Sequence, residues 1–315
     1  MGATFIISFD CEGKWGFADH SINYERDFLT NENINKAYKR IIDILNKYGI
    51  KGTFGFVGAF TLSVDEYHEN RAWFANKTET VQKWLQLFKK DMERGDFEGW
   101  FNPEPIKIVD QENIHEIGSH GFTHIPLGES LISRANFLEE MHLIKQTSHF
   151  KARERMTFIY PRNIIGYTDE LAKAGFIGYR DRIYSYGSGK TIIRMLMKLK
   201  NYSSELNLIK RAQPHAKPGN LIKIPSGFIL NYRNGLKKEI PLGLTIKRWE
   251  HIILDAVRNN KVVHLWSHPH NFITGDNMYE LLEGVLRMVN RFKKTGMLQN
   301  VTQKEYAELL AIKKG

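Results

Sequence analysis

The sequence predicts an α/β fold built around a parallel sheet. Short apolar runs rich in β-branched and aromatic residues alternate with longer segments in which apolar residues recur at helical spacing. No run resembles a transmembrane helix. With 42% hydrophobic and 25% charged residues, the composition is that of an ordinary globular protein. At 315 residues the chain can bury a full core, as one large domain or two smaller ones.

The predicted elements follow one another in a regular order. Residues 4–9 form an apolar run typical of a buried parallel strand. A helix over 31–47, ended by Gly49 as by a C-cap, leads to a second strand over 50–57, which gives a β-α-β unit. The later predicted strands cover 114–117, 155–160, 176–180, 221–225 and 261–266, and the later predicted helices cover 78–94, 130–151, 169–174, 245–259 and 278–295.

Two segments interrupt this alternation. Residues 58–111 are interpreted as an insertion or cap whose aromatic side chains are mainly packing residues, with a sugar-stacking surface at Trp100 and Phe101 as the alternative. Residues 184–220 are markedly basic and are interpreted as a solvated face or a contact for substrate phosphates. Gly187–Thr191 resembles the tail of a P-loop, but Tyr184 stands where the first glycine is needed, which argues against an NTPase.

Charge and cysteine content restrict partners and compartment. The net charge of +10 is spread along the chain, which favours a solubilising surface or anionic substrates over nucleic acid binding. Cys11 is the single cysteine, so no internal disulfide can form. The N-terminus shows no secretory signal pattern, and we expect a cytoplasmic protein.

The predicted strands end in residues capable of chemistry. Asp10 and Glu12 follow the first strand, where one carboxylate can bind a metal and the other can act as a base. His120 and His124 lie four apart, so a helical turn would project both imidazoles to one side. A carboxylate with two histidines leaves coordination positions open, as in catalytic metal sites. The other polar strand ends are Pro161-Arg162-Asn163, Arg180-Asp181, and His268 with His270.

These motifs, in this order, resemble those of the polysaccharide deacetylases, the NodB-homology carbohydrate esterases. The Asp10-x-Glu12 start, the run from Glu116 to His124 and the late strand that ends before His268 carry the resemblance. It implies a distorted (β/α) barrel with about seven parallel strands. It implies one domain over 1–315, with the insertions at about 58–111 and 184–220. It also implies removal of acetyl groups from N-acetylated sugars with a divalent metal.

The resemblance further implies a role for each matching residue. The implied catalytic residues are the base Asp10, the acid His268, the base-orienting arginine Arg162 and the acid's partner Asp181, and the implied metal ligands are Glu12, His120 and His124. His270 is an alternative acid. The family commonly has two adjacent aspartates, where this chain has Asp10-Cys11-Glu12. Its usual Arg-x-Pro order appears here as Pro161-Arg162-Asn163.

The leading hypothesis is a metal-dependent hydrolase that removes an N-acetyl group from an amino sugar in a surface polysaccharide, a lipopolysaccharide or a precursor of one. Zinc is expected from the ligand types, although such sites also accept cobalt, nickel, manganese or iron. The expected partner is an acetylated glycan or sugar precursor, with peripheral contact to a lipid-linked substrate left open and no nucleic acid expected. The alternatives are hydrolysis of a small non-sugar amide or cyclic amide on the same fold, and a non-catalytic binding protein.

Overall fold

One curved parallel sheet organises the protein. The computed structural model describes residues 1–19, 27–75, 77–182 and 211–312. Within these residues the sheet has nine strands, and all the paired strands run parallel. The strands are β1 (Thr4–Cys11), β2 (Thr53–Phe56), β3 (Glu116–Ser119), β4 (Thr157–Phe158), β5 (Gly178–Arg180), β6 (Ile222–Ile224), β7 (Phe228–Ile229), β8 (Val262–Ser267) and β9 (Gln299–Asn300).

The order of the strands confirms the prediction of a distorted (β/α) barrel. It runs β6-β5-β4-β3-β2-β1-β8-β7, with β9 added beside β1. Each of the seven predicted strands is present, and the two further strands, β7 and β9, are two residues long. Among the described residues β6 and β7 are not paired with each other, so the barrel stays open along that seam.

Helices connect the strands and cover the sheet. In the first helix, Thr30 caps the N-terminus by accepting a hydrogen bond from the Asn33 amide, and Gly49 follows its end with φ +57°. The helices are α1 (Asn31–Lys47), α2 (Val64–Glu69), α3 (Glu79–Trp84), α4 (Gln86–Glu93), α5 (Glu104–Gln111), α6 (Arg134–Gln146), α7 (Thr168–Lys173), α8 (Leu242–Asn259), α9 (Asn271–Thr274), α10 (Met278–Lys294) and α11 (Gln303–Ile312). No helix among the described residues is long and apolar enough to span a membrane.

Two predicted elements differ from the structure. The helix predicted over 78–94 is two helices, α3 and α4, because the chain turns at Leu85, whose ψ is 6°. The strand predicted over 155–160 shortens to β4, because the carbonyl of Ile159 accepts a bond from the His120 side chain instead of a neighbouring strand. Both differences come from tertiary contacts that local pattern does not contain.

The aromatic residues of segment 58–111 are packing residues. Trp100 and Phe101 are 0% and 1% exposed, and Trp100 packs edge-on against Trp15 with ring centroids 5.0 Å apart. The alternative of a sugar-stacking surface at Trp100 and Phe101 is therefore wrong. The P-loop-like stretch Gly187–Thr191 and most of the basic segment 184–220 lie outside the described residues.

A buried carboxylate joins the start of β3 to the last helix. Glu116 accepts hydrogen bonds from the hydroxyls of Thr53 (2.8 Å) and Thr157 (2.5 Å) and from the backbone amide of Lys304 (2.8 Å). Burial raises the pKa of Glu116 above its ordinary value, although these bonds act in the opposite direction.

This raised pKa predicts a pH dependence of stability. A carboxyl whose pKa is higher when folded stabilises most below its unfolded pKa of about 4.5, and that contribution is lost as pH rises through the folded value. In the variant Glu116→Gln, the side-chain amide at this position carries no charge at any pH. We expect the free energy of unfolding of the parent, relative to that of this variant, to fall as pH rises from about 4.5. Urea unfolding at several pH values measures this difference. A rise of this free-energy difference with pH would contradict the prediction. The control variant is Glu69→Gln, because Glu69 is exposed.

Candidate metal centre

The alternation of side chains along β1 places both carboxylates on one side. Asp10 and Glu12 are 2% and 6% exposed and face the inside of the barrel at the carboxyl edge of the sheet. Cys11, between them, points the other way, where its thiol lies 3.5 Å from the Phe9 carbonyl oxygen. Burial raises the pKa of Cys11 well above its ordinary value, so the thiol stays protonated.

A tight loop after β3, and not a helical turn, brings the two histidines together. The chain turns at Gly121 (φ +81°) and again at His124 (φ +60°), both in the left-handed region. The imidazole centroids of His120 and His124 lie 4.7 Å apart. The predicted convergence therefore occurs through a different local conformation. Glu140 on α6 fixes this loop by accepting bonds from the backbone amides of Phe122 (2.7 Å) and Thr123 (3.0 Å).

Three donor atoms converge between β1 and this loop. Glu12 Oε1 lies 3.1 Å from His120 Nε2 and 3.1 Å from His124 Nε2, and the two nitrogens lie 3.2 Å apart. A tetrahedral ion with bonds of about 2.0–2.2 Å has ligand atoms roughly 3.3–3.6 Å apart. The three side chains therefore match the spacing of a metal-binding group.

The chemistry of the donors also fits a cation. His120 Nδ1 lies 2.7 Å from the carbonyl oxygen of Ile159, which can only accept, so Nδ1 carries the hydrogen. In the neutral ring, the lone pair of Nε2 then faces the Glu12 carboxylate, an arrangement that a bound cation stabilises.

The protonation states of the other two donors point the same way. Burial raises the pKa of Glu12, but His124 and His268 lower it more, so the net pKa lies well below the ordinary value. Burial lowers the pKa of His124. An ionised carboxylate and a neutral imidazole are the forms that bind a metal.

Arg180, and not Arg162, pairs with Asp10. Its Nη1 and Nη2 lie 2.7 and 2.6 Å from the two carboxylate oxygens, in a buried two-pronged ion pair. Burial raises the pKa of Asp10, but Arg180 and the nearby histidines lower it more, so the group stays ionised. Three strands separate β5 from β1, so this pair depends on the curvature of the sheet.

The predicted contact between Arg162 and Asp10 does not form. Arg162 lies 2.5 Å from Asp19, donates to the Gly16 carbonyl oxygen and stacks over Trp84 at 5.5 Å. In the family's Arg-x-Pro order the arginine would stand two residues before Pro161, where this chain has Ile159. Arg180 thus supplies the guanidinium from the next strand, while Arg162 lines the cleft as an exposed side chain.

His268 lies beside the two carboxylates. Its Nε2 is 3.5 Å from Glu12 Oε1 and 4.0 Å from Asp10 Oδ2. His270 stacks on it, with centroids 4.8 Å apart, but burial and the charge of His268 lower the pKa of His270 to about 3. Because an acid must hold a proton near neutral pH, His270 is poorly suited to that role.

Asp181 does not meet the histidine it was predicted to support. Its carboxylate lies 3.4 Å from Lys223 Nζ, and the described residues show no contact between Asp181 and His268. The reason is the pleat of the sheet: Arg180 points into the barrel, so Asp181, the next residue, points away.

A cleft of about 360 Å³ opens over these groups. Asp10, Glu12 and His268 lie in its lining, together with the aromatic rings of Phe17 and Trp266. The sequence pattern placed Arg180 and Asn163 among the polar strand ends without a role for either side chain, and it did not indicate Trp266 as a cleft residue. For Arg180 the available signal was its position at a predicted strand end.

The region that carries the two histidines matches a known family. The family model described as polysaccharide deacetylase matches residues 27–174. This span contains His120 and His124 of the candidate metal-binding group, whereas Asp10, Glu12 and His268 lie outside it. The sequence has no significant match among curated proteins.

Solved structures share the fold. A protein from Mycobacterium smegmatis assigned as a polysaccharide deacetylase is 15% identical, with a TM-score of 0.59 over 100% of this chain and 92% of that one. A GH57-type branching enzyme from Pyrococcus horikoshii is 11% identical, with a TM-score of 0.52 over 98% of this chain and 70% of that one. Two proteins with such different descriptions show that the fold alone does not set the activity.

The resemblance inferred from the sequence is thus confirmed by the family model across the histidine motif. By that match residues 27–174 resemble the polysaccharide deacetylases, and over the rest of the chain the likeness to the solved structures is one of fold.

Proposed function

We propose that the protein is a metal-dependent N-deacetylase acting on an acetylated amino sugar of a surface polysaccharide, a lipopolysaccharide or a precursor of one. The observation that carries the proposal is the convergence of Glu12, His120 and His124 at 3.1–3.2 Å beside Asp10 and His268. Zinc is the expected ion, because two imidazoles and a carboxylate suit it.

The bound ion would supply Lewis acidity for the acetyl carbonyl and for the attacking water. Asp10, ionised and held by Arg180, accepts a proton from that water. His268, whose Nε2 lies 3.5 Å from Glu12 Oε1, donates a proton to the departing amine nitrogen. The two proton-transfer groups thus stand 4.0 Å apart at the same cleft.

A backbone amide in residues 160–163 is proposed to bind the oxyanion that forms on the acetyl oxygen. Pro161 has no N–H, and the amide of Asn163 already donates to the Tyr160 carbonyl oxygen at 2.9 Å. The candidate backbone amides are therefore those of Tyr160 and Arg162.

The cleft favours a sugar over a small cyclic amide. It is open enough for exposed Arg162 to line it, and Trp266 and Phe17 offer ring faces to a sugar. A closed apolar pocket would have favoured the small-amide alternative.

Acetate release tests the proposal. Protein loaded with zinc should release acetate from N-acetylated sugars, presented as oligosaccharides and as nucleotide-linked or lipid-linked forms. A chelator should abolish release, and added zinc should restore it. Absence of acetate from every class, in protein shown to contain one metal equivalent, would refute the deacetylase assignment while leaving the metal site intact.

A further inference from the structure

A chain of buried hydrogen bonds leads away from the Asp10–Arg180 pair. Arg180 Nη1, which donates to Asp10 at 2.7 Å, also lies 3.3 Å from Ser8 Oγ. Ser8 Oγ lies 2.9 Å from His264 Nε2, and His264 Nδ1 lies 2.6 Å from the carbonyl oxygen of Pro225. All four side chains are at most 2% exposed.

The last acceptor sets the direction of every bond in the chain. The Pro225 carbonyl can only accept, so His264 Nδ1 carries the hydrogen and Nε2 keeps its lone pair. Ser8 must then donate its hydroxyl hydrogen to Nε2, which leaves its oxygen lone pairs for Arg180. Burial and the nearby Arg180 charge lower the pKa of His264 to about 3, so this neutral form persists at ordinary pH.

The guanidinium has few other supports. Its two η nitrogens donate to Asp10, to Ser8 and to the side-chain oxygen of Asn163, whereas its Nε has no partner among the described residues. Asn163 sits on the cleft loop, while Ser8 lies inside β1, directly beside β8. The support from Ser8 is therefore the one anchored in the sheet.

We propose that Ser8 and His264 are positioning residues that hold the Arg180 guanidinium, and through it the carboxylate of Asp10, in the orientation needed to take a proton. The catalytic part of this inference rests on the proposed function. Without the Ser8 hydroxyl, His264 Nε2 keeps an unsatisfied lone pair and one Arg180 hydrogen loses its acceptor. The guanidinium can then shift toward Trp266, whose ring lies 4.6 Å away.

Ser8→Ala tests the proposal with a minimal change of volume. We expect kcat for acetate release to fall roughly 10-fold through misplacement of the base, with KM and metal content unchanged. Ser267→Ala is the matched control, because that hydroxyl is also buried in the sheet but has no partner among the described residues. Loss of metal, or an equal loss of kcat in Ser267→Ala, would overturn the proposal.

A double-mutant cycle asks whether Ser8 acts through the base. In an Asp10→Asn background no base remains to be oriented, so Ser8→Ala should cause no further loss. The same fold-loss in both backgrounds would show that Ser8 acts elsewhere. His264→Gln, which keeps one donor and one acceptor, should retain more activity than His264→Phe, which keeps the ring volume and removes both.

Nuclear magnetic resonance gives a readout that needs no substrate. In ¹⁵N-labelled parent protein, His264 should show the Nδ1–H tautomer and should not titrate between pH 5 and 8. Ser8→Ala should shift the resonances of His264 Nε2 and of the Arg180 η nitrogens. An Nε2–H tautomer, or unshifted resonances, would refute the hydrogen-bond chain itself. Correct resonances in a protein that releases no acetate would instead contradict the proposed function and leave the arrangement standing.

Discussion

Replacement of His124 by alanine should remove both the bound metal and the activity. The side chain supplies one of three converging donors, and Glu12 and His120 alone leave an incomplete site. Since a metal ion contributes several kcal/mol to such a reaction, kcat/KM should fall by about 10³-fold or more. Elemental analysis of protein purified without chelator, alongside acetate release, measures both effects.

The matched control is His142→Ala, because His142 is an exposed histidine on α6. It should keep about one metal equivalent and full activity. If His124→Ala retained its metal, the cluster would not be the binding site. If it lost the metal but kept its activity, the ion would be structural and not catalytic.

Arg180→Gln should have the second large effect, on stability as well as on activity. Asp10 would lose the guanidinium that binds both its oxygens and would remain as a buried carboxylate without that partner. Breaking one side of a buried ion pair costs about 3–5 kcal/mol. Denaturant unfolding should show this loss, and kcat should fall because the base becomes harder to ionise and to orient.

Arg162→Gln separates the two arginines. Arg162 pairs with Asp19 in a half-exposed contact, and such pairs contribute about 0–1 kcal/mol. Its unfolding free energy should therefore stay close to that of the parent. A larger destabilisation in Arg162→Gln than in Arg180→Gln would contradict the assignment of Arg180 as the partner of Asp10.

The convergence of Glu12, His120 and His124 could be expected from the sequence because each part of this group is local. Asp10 and Glu12 share one strand end, where alternation fixes their common direction. His120 and His124 share one short loop, although the loop is not the helical turn that their spacing suggested. Residues this close in sequence can converge in more than one backbone conformation. The two imidazoles therefore lie together as predicted, although the predicted helical turn is wrong.

The identity of the arginine could not be predicted in the same way. Arg162 and Arg180 both follow predicted strands, and either was chemically suitable. Which one reaches Asp10 depends on how the sheet curves between β1 and β5, which is a property of the whole barrel. The role predicted for Asp181 was lost for a related reason, because the inward direction of Arg180 fixes the outward direction of its neighbour.

The position of β1 in the sheet also has a consequence for synthesis. β1 lies between β2 and β8, and its Ser8 bonds to His264, 256 residues later. At 5–20 residues per second, a ribosome takes on the order of 10–50 s to make that interval. Throughout this time one side of β1 is an unpaired edge with apolar side chains, the kind of surface that chaperones shield. Emergence of β8 closes that edge and delivers His264 and His268 together, so the nascent chain gains the pairing of β1 with β8 and the last residues of the proposed proton-transfer site in one late step.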